Sequence, residues 1–110
     1  MTIDFKKIDE QHIEHFKDGE GVVSMRSFSD GKCKIMRITL VAGASIGQHT
    51  HVENCEIVRV LEGNLTAYCD GNRELLHAGD VHYCPQGHSH RLCNETQSNV
   101  VFLGIVPELR

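Results

Sequence analysis

The chain alternates between apolar and polar positions over short runs, and turn-forming residues separate these runs. Alternation with a period of two is typical of β-strands that bury one face. A Ser-Asp-Gly-Lys stretch after residue 28 predicts a hairpin turn. The predicted strand regions are 22–28, 33–43, 46–51, 55–63, 64–72, 73–80, 81–85, 89–94 and 99–107. Their spacing of about 8–12 residues predicts an all-β sandwich or barrel.

Residues 1–21 lack this alternation, and we interpret them as a lead-in segment of the domain that residues 22–110 form. The apolar positions of the lead-in follow only a loosely helical spacing. A chain of 110 residues is long enough to enclose one hydrophobic core. We therefore expect a single domain.

The last predicted strand, 99–107, is apolar at nearly every position on both of its faces. One face can fill the interior of a barrel, whereas the other needs a second layer or a partner chain to cover it. Ile57 and Leu61 add apolar surface to the outer side of their own strand. These positions predict a homodimer.

Composition and charge narrow the choice of partners and location. The net charge is −4 and no basic cluster occurs, so a nucleic-acid partner is not expected. No apolar run reaches the roughly 20 residues of a membrane helix, and the first residues lack a signal-peptide pattern. Five cysteines without a C-x-x-C pair favour reduced thiols over a disulfide framework. We expect a cytoplasmic protein that does not enter a membrane.

Histidines are concentrated in one part of the chain, since six of the eight lie between His49 and His90. Alternation along their strand places His49 and His51 on the same face. His90 opens a later strand, after a turn that Pro85 and Gly87 predict. A barrel can bring His90 across to the other two imidazoles.

Glu56 can complete a set of metal ligands with these histidines. We expect the chain to turn around residues 52–54 and return antiparallel, so that Glu56 shares an inward face with Val58 and Val60. A carboxylate buried among valines is unfavourable, and a metal ion removes that penalty. Three neutral imidazoles and one carboxylate suit one divalent transition metal ion: Mn, Fe, Co, Ni, Cu or Zn.

Two motifs in this region resemble those of the cupin superfamily. The first, G-x5-H-x-H-x4-E-x6-G, matches at Gly43, His49, His51, Glu56 and Gly63; the second, G-x5-P-x-G-x2-H-x3-N, matches at Gly79, Pro85, Gly87, His90 and Asn94. The short spacer between the motifs is similar to that of small single-domain microbial cupins. The resemblance implies a jelly-roll β-barrel, also called a double-stranded β-helix, with one metal ion in its mouth. The implied ligands are His49, His51, Glu56 and His90.

Three further residues are candidates for contacting the metal ligands or a bound molecule: Arg37, His82 and Tyr83. Arg37 can bind a carboxylate through two guanidinium nitrogens, or it can face the solvent or an interface. His82 and Tyr83 lie on opposite faces of one strand, and either face can line the barrel. Together with Glu53, these two residues are also the candidates for a general acid or base.

Two functions from different classes fit these residues. The first is a metalloenzyme that acts on a small organic acid or carbonyl compound, for which the resemblance allows dioxygenase, decarboxylase, isomerase or lyase chemistry. The second is a non-catalytic module that binds a metal and a small metabolite, as a sensor or carrier. The chain has no tryptophan to stack on a sugar or nucleobase. We therefore expect a compact acid that occupies two coordination positions.

Overall fold

A computed structural model describes residues 1–110, and most of the chain is β-strand. The strands are β1 (Gln11–Glu14), β2 (Val22–Ser29), β3 (Cys33–Leu40), β4 (Ser45–Thr50), β5 (Glu56–Glu62), β6 (Leu65–Cys69), β7 (Asn72–Leu76), β8 (Val81–Cys84), β9 (Ser89–Cys93) and β10 (Val100–Pro107). Two short 3-10 segments, Phe5–Lys7 and Phe16–Asp18, flank β1. Neither has the length or hydropathy that crossing a membrane requires of a helix. The predicted all-β class is confirmed.

The strands form two antiparallel sheets in the jelly-roll arrangement that the sequence predicts. The larger sheet has the order β1-β2-β3-β10-β5-β8, and the smaller sheet has the order β4-β9-β6-β7. The chain crosses between sheets on passing from β3 to β4 and again from β4 to β5. Residues that follow one another closely in sequence therefore reach the barrel interior from opposite walls.

The predicted antiparallel return of β5 along β4 is wrong. β4 pairs with β9, whereas β5 pairs with β10 and β8 in the other sheet. The connection 51–55 crosses the mouth of the barrel instead of closing a hairpin. Two backbone hydrogen bonds hold it to the turn between β8 and β9: His51 N–H donates to the His88 carbonyl, and Gly87 N–H donates to the His51 carbonyl.

The N-terminal region is more regular than its sequence pattern indicates. β1 pairs with β2 and forms an edge of the larger sheet, and the segment Phe16–Asp18 lies against β4. Ile13 and Phe16 pack against the core, which explains why their apolar side chains recur without a clear strand or helix period. The loosely helical spacing thus comes from one short strand and the turns beside it.

The hydrophobic core lies between the two sheets, and one end of it borders a polar cluster. Ile38, Val60, Leu65 and Phe102 are almost fully buried within a single cluster of apolar side chains. Polar residues occupy the opposite ends of the same strands, because Glu56 begins β5 and His90 lies at the start of β9. The apolar core thus fills one end of the barrel, and the polar cluster lies at the other end.

Candidate metal centre

The structure brings the four predicted metal ligands to one point. One ligand atom from each of His49, His51, Glu56 and His90 lies within 4.8 Å of the others. His90 Nε2 is 2.9 Å from Glu56 Oε1, 3.1 Å from His51 Nε2 and 3.2 Å from His49 Nε2. His90 is completely buried, and Glu56 is only 4% exposed. The cluster is therefore largely shielded from solvent.

Both sheets contribute to this cluster. His49 in β4 lies directly opposite His90 in β9, so the smaller sheet supplies two imidazoles from neighbouring strands. Glu56 reaches the same point from β5 of the larger sheet. His51 follows β4 at the start of the connection that crosses the mouth. These side chains point into the barrel, as the alternation predicts, although the predicted pairing of β4 with β5 is wrong.

Hydrogen bonds at the outer ring nitrogens define the tautomers of His49 and His51. His49 Nδ1 lies 2.8 Å from the Gly47 carbonyl oxygen, and His51 Nδ1 lies 2.6 Å from Asn54 Oδ1. Both partners are oxygens that accept, so each Nδ1 carries the proton and donates. In the neutral ring the Nε2 atom then has a free lone pair. Both lone pairs face the centre of the cluster.

His90 has the same tautomer because of a buried neighbour, His82. His82 Nδ1 donates to Glu74 Oε1 across 2.9 Å, which leaves a lone pair on His82 Nε2 when the ring is neutral. His90 Nδ1 lies 3.0 Å from that atom and donates to it. The Nε2 atom of His90 therefore also presents a lone pair to the cluster, and the three imidazoles act alike.

The donor set fits a divalent transition metal ion. Three imidazole lone pairs and one carboxylate oxygen converge without a hydrogen-bond donor between them, an arrangement that only shared protons or a cation can satisfy. Burial alone would raise the pKa of the Glu56 carboxyl. When protons on the facing ring nitrogens take the place of a metal ion, hydrogen bonds from the three histidines hold that pKa well below its usual range. Burial lowers the pKa of His90 against the opposing effect of Glu56. Neutral imidazoles beside an ionised carboxylate are the forms that bind metals.

Gly104 in β10 provides the space that the Glu56 side chain occupies. A Cβ atom at this position would lie 2.8 Å from Glu56 Oε2 and 3.2 Å from Met36 Cε. Both distances are shorter than ordinary van der Waals contact, so a larger residue would displace the carboxylate or the methionine. A glycine in the middle of a strand thereby helps to position a ligand.

The other candidate residues differ in position. His82 and Cys84 face the interior, whereas Val81 and Tyr83 are exposed on the outer side of β8, which answers the question that the sequence left open. His82 touches the ligand His90. Arg37 is exposed on β3 in a surface depression with Asp4 and Arg26, and it does not line the metal cavity. The interface or solvent interpretation of Arg37 therefore agrees better with its position.

A cavity of about 470 Å³ opens beside the ligand cluster and contains one acid-base candidate, Glu53. Three residues near the centre escaped the sequence interpretation: Lys17, Asn54 and Glu74. Lys17 lines the cavity, Asn54 accepts a hydrogen bond from His51, and Glu74 accepts one from His82. The contact of Asn54 with His51 could have been predicted from their closeness in sequence. The positions of Lys17 and Glu74 depend on the packing of segments that are far apart in the chain.

Comparison with known families agrees with the resemblance and with the barrel fold. Residues 36–106, more than half of the chain, match the model of the family described as the Cupin domain. The protein belongs to this family.

Two relatives from Thermotoga maritima are similar over nearly their whole length. An oxalate-binding protein is 27% identical over 112 residues, which cover 96% of this chain and 93% of the relative. The crystal structure of a predicted oxalate decarboxylase has a TM-score of 0.92 at 27% identity, covering 99% of this chain and 100% of that chain. A sugar phosphate isomerase of the cupin superfamily from Silicibacter pomeroyi has a TM-score of 0.82 at 23% identity, covering 98% and 76%, respectively, and shares the fold.

Proposed function

We propose that the protein holds one divalent transition metal ion in this centre and uses it to bind a small dicarboxylic acid such as oxalate. The observation that carries the proposal is the convergence of three imidazole nitrogens and one carboxylate oxygen at the wall of an open cavity. When bound, the metal ion supplies Lewis acidity and positive charge that attract a chelating anion. The similarity to an oxalate-binding protein supports this ligand class.

The cavity walls suit a compact acid that reaches the cluster from one side. Apolar side chains line the part of the cavity near the ligands: Met36, Ile38, Ile46 and Val106. Arg110 offsets part of the negative charge of two carboxylates at the rim, because it lies 3.1 Å from Glu53 and 3.4 Å from Glu108. These ion pairs reduce the repulsion that free rim carboxylates would exert on an acidic ligand.

Thermal unfolding with two probe acids tests the proposal. Oxalate, which can occupy two coordination positions, should raise the melting temperature of the metal-loaded protein. It should leave the metal-free protein unchanged. Acetate occupies one position and should have a smaller effect. Equal shifts from the two acids, or a shift that survives metal removal, would contradict capture at the metal.

Catalysis on the bound acid is the second candidate function, because Glu53 lies on the cavity wall with 57% of its side chain exposed. In a decarboxylation the carbon–carbon bond of oxalate breaks, one carboxylate leaves as carbon dioxide, and the remaining carbon takes a proton to give formate. Glu53 lines the cavity and is our candidate to supply that proton, once its ion pair with Arg110 opens and the carboxylate takes up a proton from solvent. Metal-loaded wild type that releases formate, together with an inactive Glu53→Gln variant, would support an enzyme. Oxalate binding without formate release would support a binding module.

We further infer that the protein is a cytoplasmic homodimer. Five apolar side chains form a continuous row across the outer face of the larger sheet, in the order Phe28, Ile35, Ile105, Ile57 and Tyr83. Tyr83 is 55% exposed and Val81 beside it is 57% exposed. A second copy that covers this row would remove the apolar surface from water. The odd number of thiols supports a reducing compartment.

A further inference from the structure

We propose that Lys17 is a ligand-binding residue that contacts the outward-facing oxygens of a dianionic acid held in the metal centre. This inference rests on the proposed function, because it concerns the same cavity and the same class of ligand. It adds a determinant of specificity for dianions over monoanions. Lys17 lies in the 3-10 segment Phe16–Asp18, far from the metal ligands in sequence.

The position of Lys17 is coupled to that of the metal ligand His49 through the backbone. The carbonyl oxygen of Lys17 approaches Gly47 so closely that a Cβ atom at Gly47 would clash with it. The carbonyl oxygen of Gly47 in turn accepts the hydrogen bond from His49 Nδ1 at 2.8 Å. Gly47, which orients His49, is therefore also in contact with the turn that carries Lys17. Lys17 and His49 line the same cavity.

The turn that carries Lys17 has an unusual backbone conformation. The protein has four non-glycine residues with positive φ, and three of them lie here: His15 at 50°, Lys17 at 55° and Asp18 at 62°. Hydrogen bonds hold the turn, because Asp18 N–H donates to the His15 carbonyl at 2.9 Å and His15 Nδ1 donates to the Gly19 carbonyl at 3.0 Å. Strained conformations that the surroundings enforce occur preferentially at functional sites.

The ammonium of Lys17 has no carboxylate partner and lies 5.7 Å from the centre of the Phe16 ring. Among the cations that line the cavity, Arg110 pairs with two carboxylates, whereas Lys17 and Lys34 form no ion pair within 4.0 Å. Of these two lysines, Lys17 is the one whose backbone contacts Gly47, the hydrogen-bond partner of His49. Lys17 lines the same cavity as the candidate ligands His49 and His51. An anion bound at the metal site would be attracted by an unpaired ammonium next to that site.

This arrangement predicts two effects of opposite sign when the charge is removed. The ammonium repels a metal cation, so a neutral side chain should leave metal affinity unchanged or increase it. The same ammonium attracts the free oxygens of a chelated dianion, so a neutral side chain should weaken the binding of that dianion. A merely structural role for Lys17 would lower both affinities together.

The test compares two acids on three variants of the metal-loaded protein by calorimetry. Oxalate is the dianionic probe, and glycolate is a monoanion that can chelate through its carboxylate and hydroxyl. For Lys17→Met we expect about tenfold weaker oxalate binding, the size of one charge-assisted hydrogen bond, and less than about twofold change for glycolate. Lys17→Arg should retain oxalate binding. Lys7→Met, which removes a lysine outside the cavity, is the matched control.

Each outcome separates this inference from the function on which it rests. Oxalate binding by the wild type that Lys17→Met leaves unchanged would overturn the role of Lys17 and leave the proposed function intact. Equal losses for the two acids, or a parallel loss of metal affinity in a direct metal titration, would also overturn it. A metal-loaded wild type that binds neither acid would overturn the proposed function together with the inference.

Discussion

His82 Nε2 lies 3.0 Å from His90 Nδ1, on the side of the His90 ring that faces away from the ligand cluster. His82 is buried, and its other ring nitrogen donates to the partly exposed carboxylate of Glu74. A hydrogen-bonded chain thus connects the surface with the candidate metal ligand His90. Such partners fix the tautomer and orientation of a metal ligand and strengthen its lone pair. We therefore propose that His82 is a positioning residue that acts through His90.

Breaking this chain should weaken metal binding while the four ligands remain. We expect His82→Phe and Glu74→Ala to lower metal affinity by about 10–100-fold. The first variant removes the acceptor that selects the tautomer of His90, and the second removes the acceptor that selects the tautomer of His82. Glu74→Gln keeps an acceptor for His82 and should cause a smaller loss. Competition with a chromophoric chelator measures these affinities. Glu62→Gln removes an exposed carboxylate elsewhere and is the control. Wild-type affinity in both His82→Phe and Glu74→Ala would contradict the positioning role.

Loss of a ligand should reduce metal content and thermal stability together. His51→Ala leaves Glu56 and His90 around an incomplete site, so less metal binds and the stabilisation from binding is lost. That stabilisation is about 2.7 kcal/mol when the free metal concentration is 100 times the dissociation constant. Elemental analysis and a melting curve on untagged protein check both quantities. His77→Ala, an exposed histidine outside the cluster, should behave as the wild type. Unchanged metal content in His49→Ala/His51→Ala would refute the ligand assignment.

The sequence was sufficient to predict the cluster of four candidate ligands, because strand alternation and motif spacing both concern residues close in the chain. Alternation along each strand predicts that His49, His51 and Glu56 point inward, and this prediction is the same whether β4 and β5 form a hairpin or lie in opposite sheets. For that reason the wrong pairing still led to the right cluster. The choice between the two arrangements depends on β9 and β10, which are far away in sequence and supply the actual partners.

Charge and hydrogen-bond partners at longer range could not be predicted in the same way. Lys17 and Glu74 reach the centre only because the 3-10 turn lies against β4 and because β7 lies near β8. Arg37 shows the converse problem. Both faces of its strand carry apolar residues, so alternation alone does not identify the inward face. The structure places Met36 and Ile38 inside and leaves Arg37 exposed.

Adding a single methyl group at Gly104 should impair the metal site from β10, the strand that neighbours β5 in the larger sheet. The Cβ of Gly104→Ala would lie 2.8 Å from Glu56 Oε2, which forces the carboxylate to shift relative to the three imidazoles. We expect lower metal affinity, with less effect on the unfolding temperature of the metal-free protein, because the displaced atom is the end of a side chain. Chelator competition and metal-free melting curves separate these quantities. A variant with wild-type metal affinity would show that this close contact does not matter.

Metal binding should weaken as the pH falls below neutrality. All three imidazoles must be neutral to coordinate, so protons compete with the metal. The hydrogen bond with Glu56 raises the pKa of His51, and competition at this ring therefore begins at a higher pH than for an ordinary histidine. Glu56 remains ionised, since contacts with the histidines outweigh the effect of burial on its pKa. The affinity should fall about tenfold per pH unit while one proton competes. An affinity that stays constant between about pH 7.5 and 5 would contradict competition at His51.

The apolar row on the outer face of the larger sheet should form a dimer interface. The chain mass is 12.3 kDa, so light scattering at micromolar concentration should give about twice that value. Tyr83 lies in the edge strand β8 and is 55% exposed, so Tyr83→Glu can place a charge in the row without disturbing the core. We expect this variant to be monomeric with an intact metal centre, because burying an unpaired carboxylate between two copies is unfavourable. A charge on the opposite side of the barrel, as in Leu75→Glu on β7, is the control and should leave the dimer intact. A wild-type mass equal to that of one chain would refute the dimer.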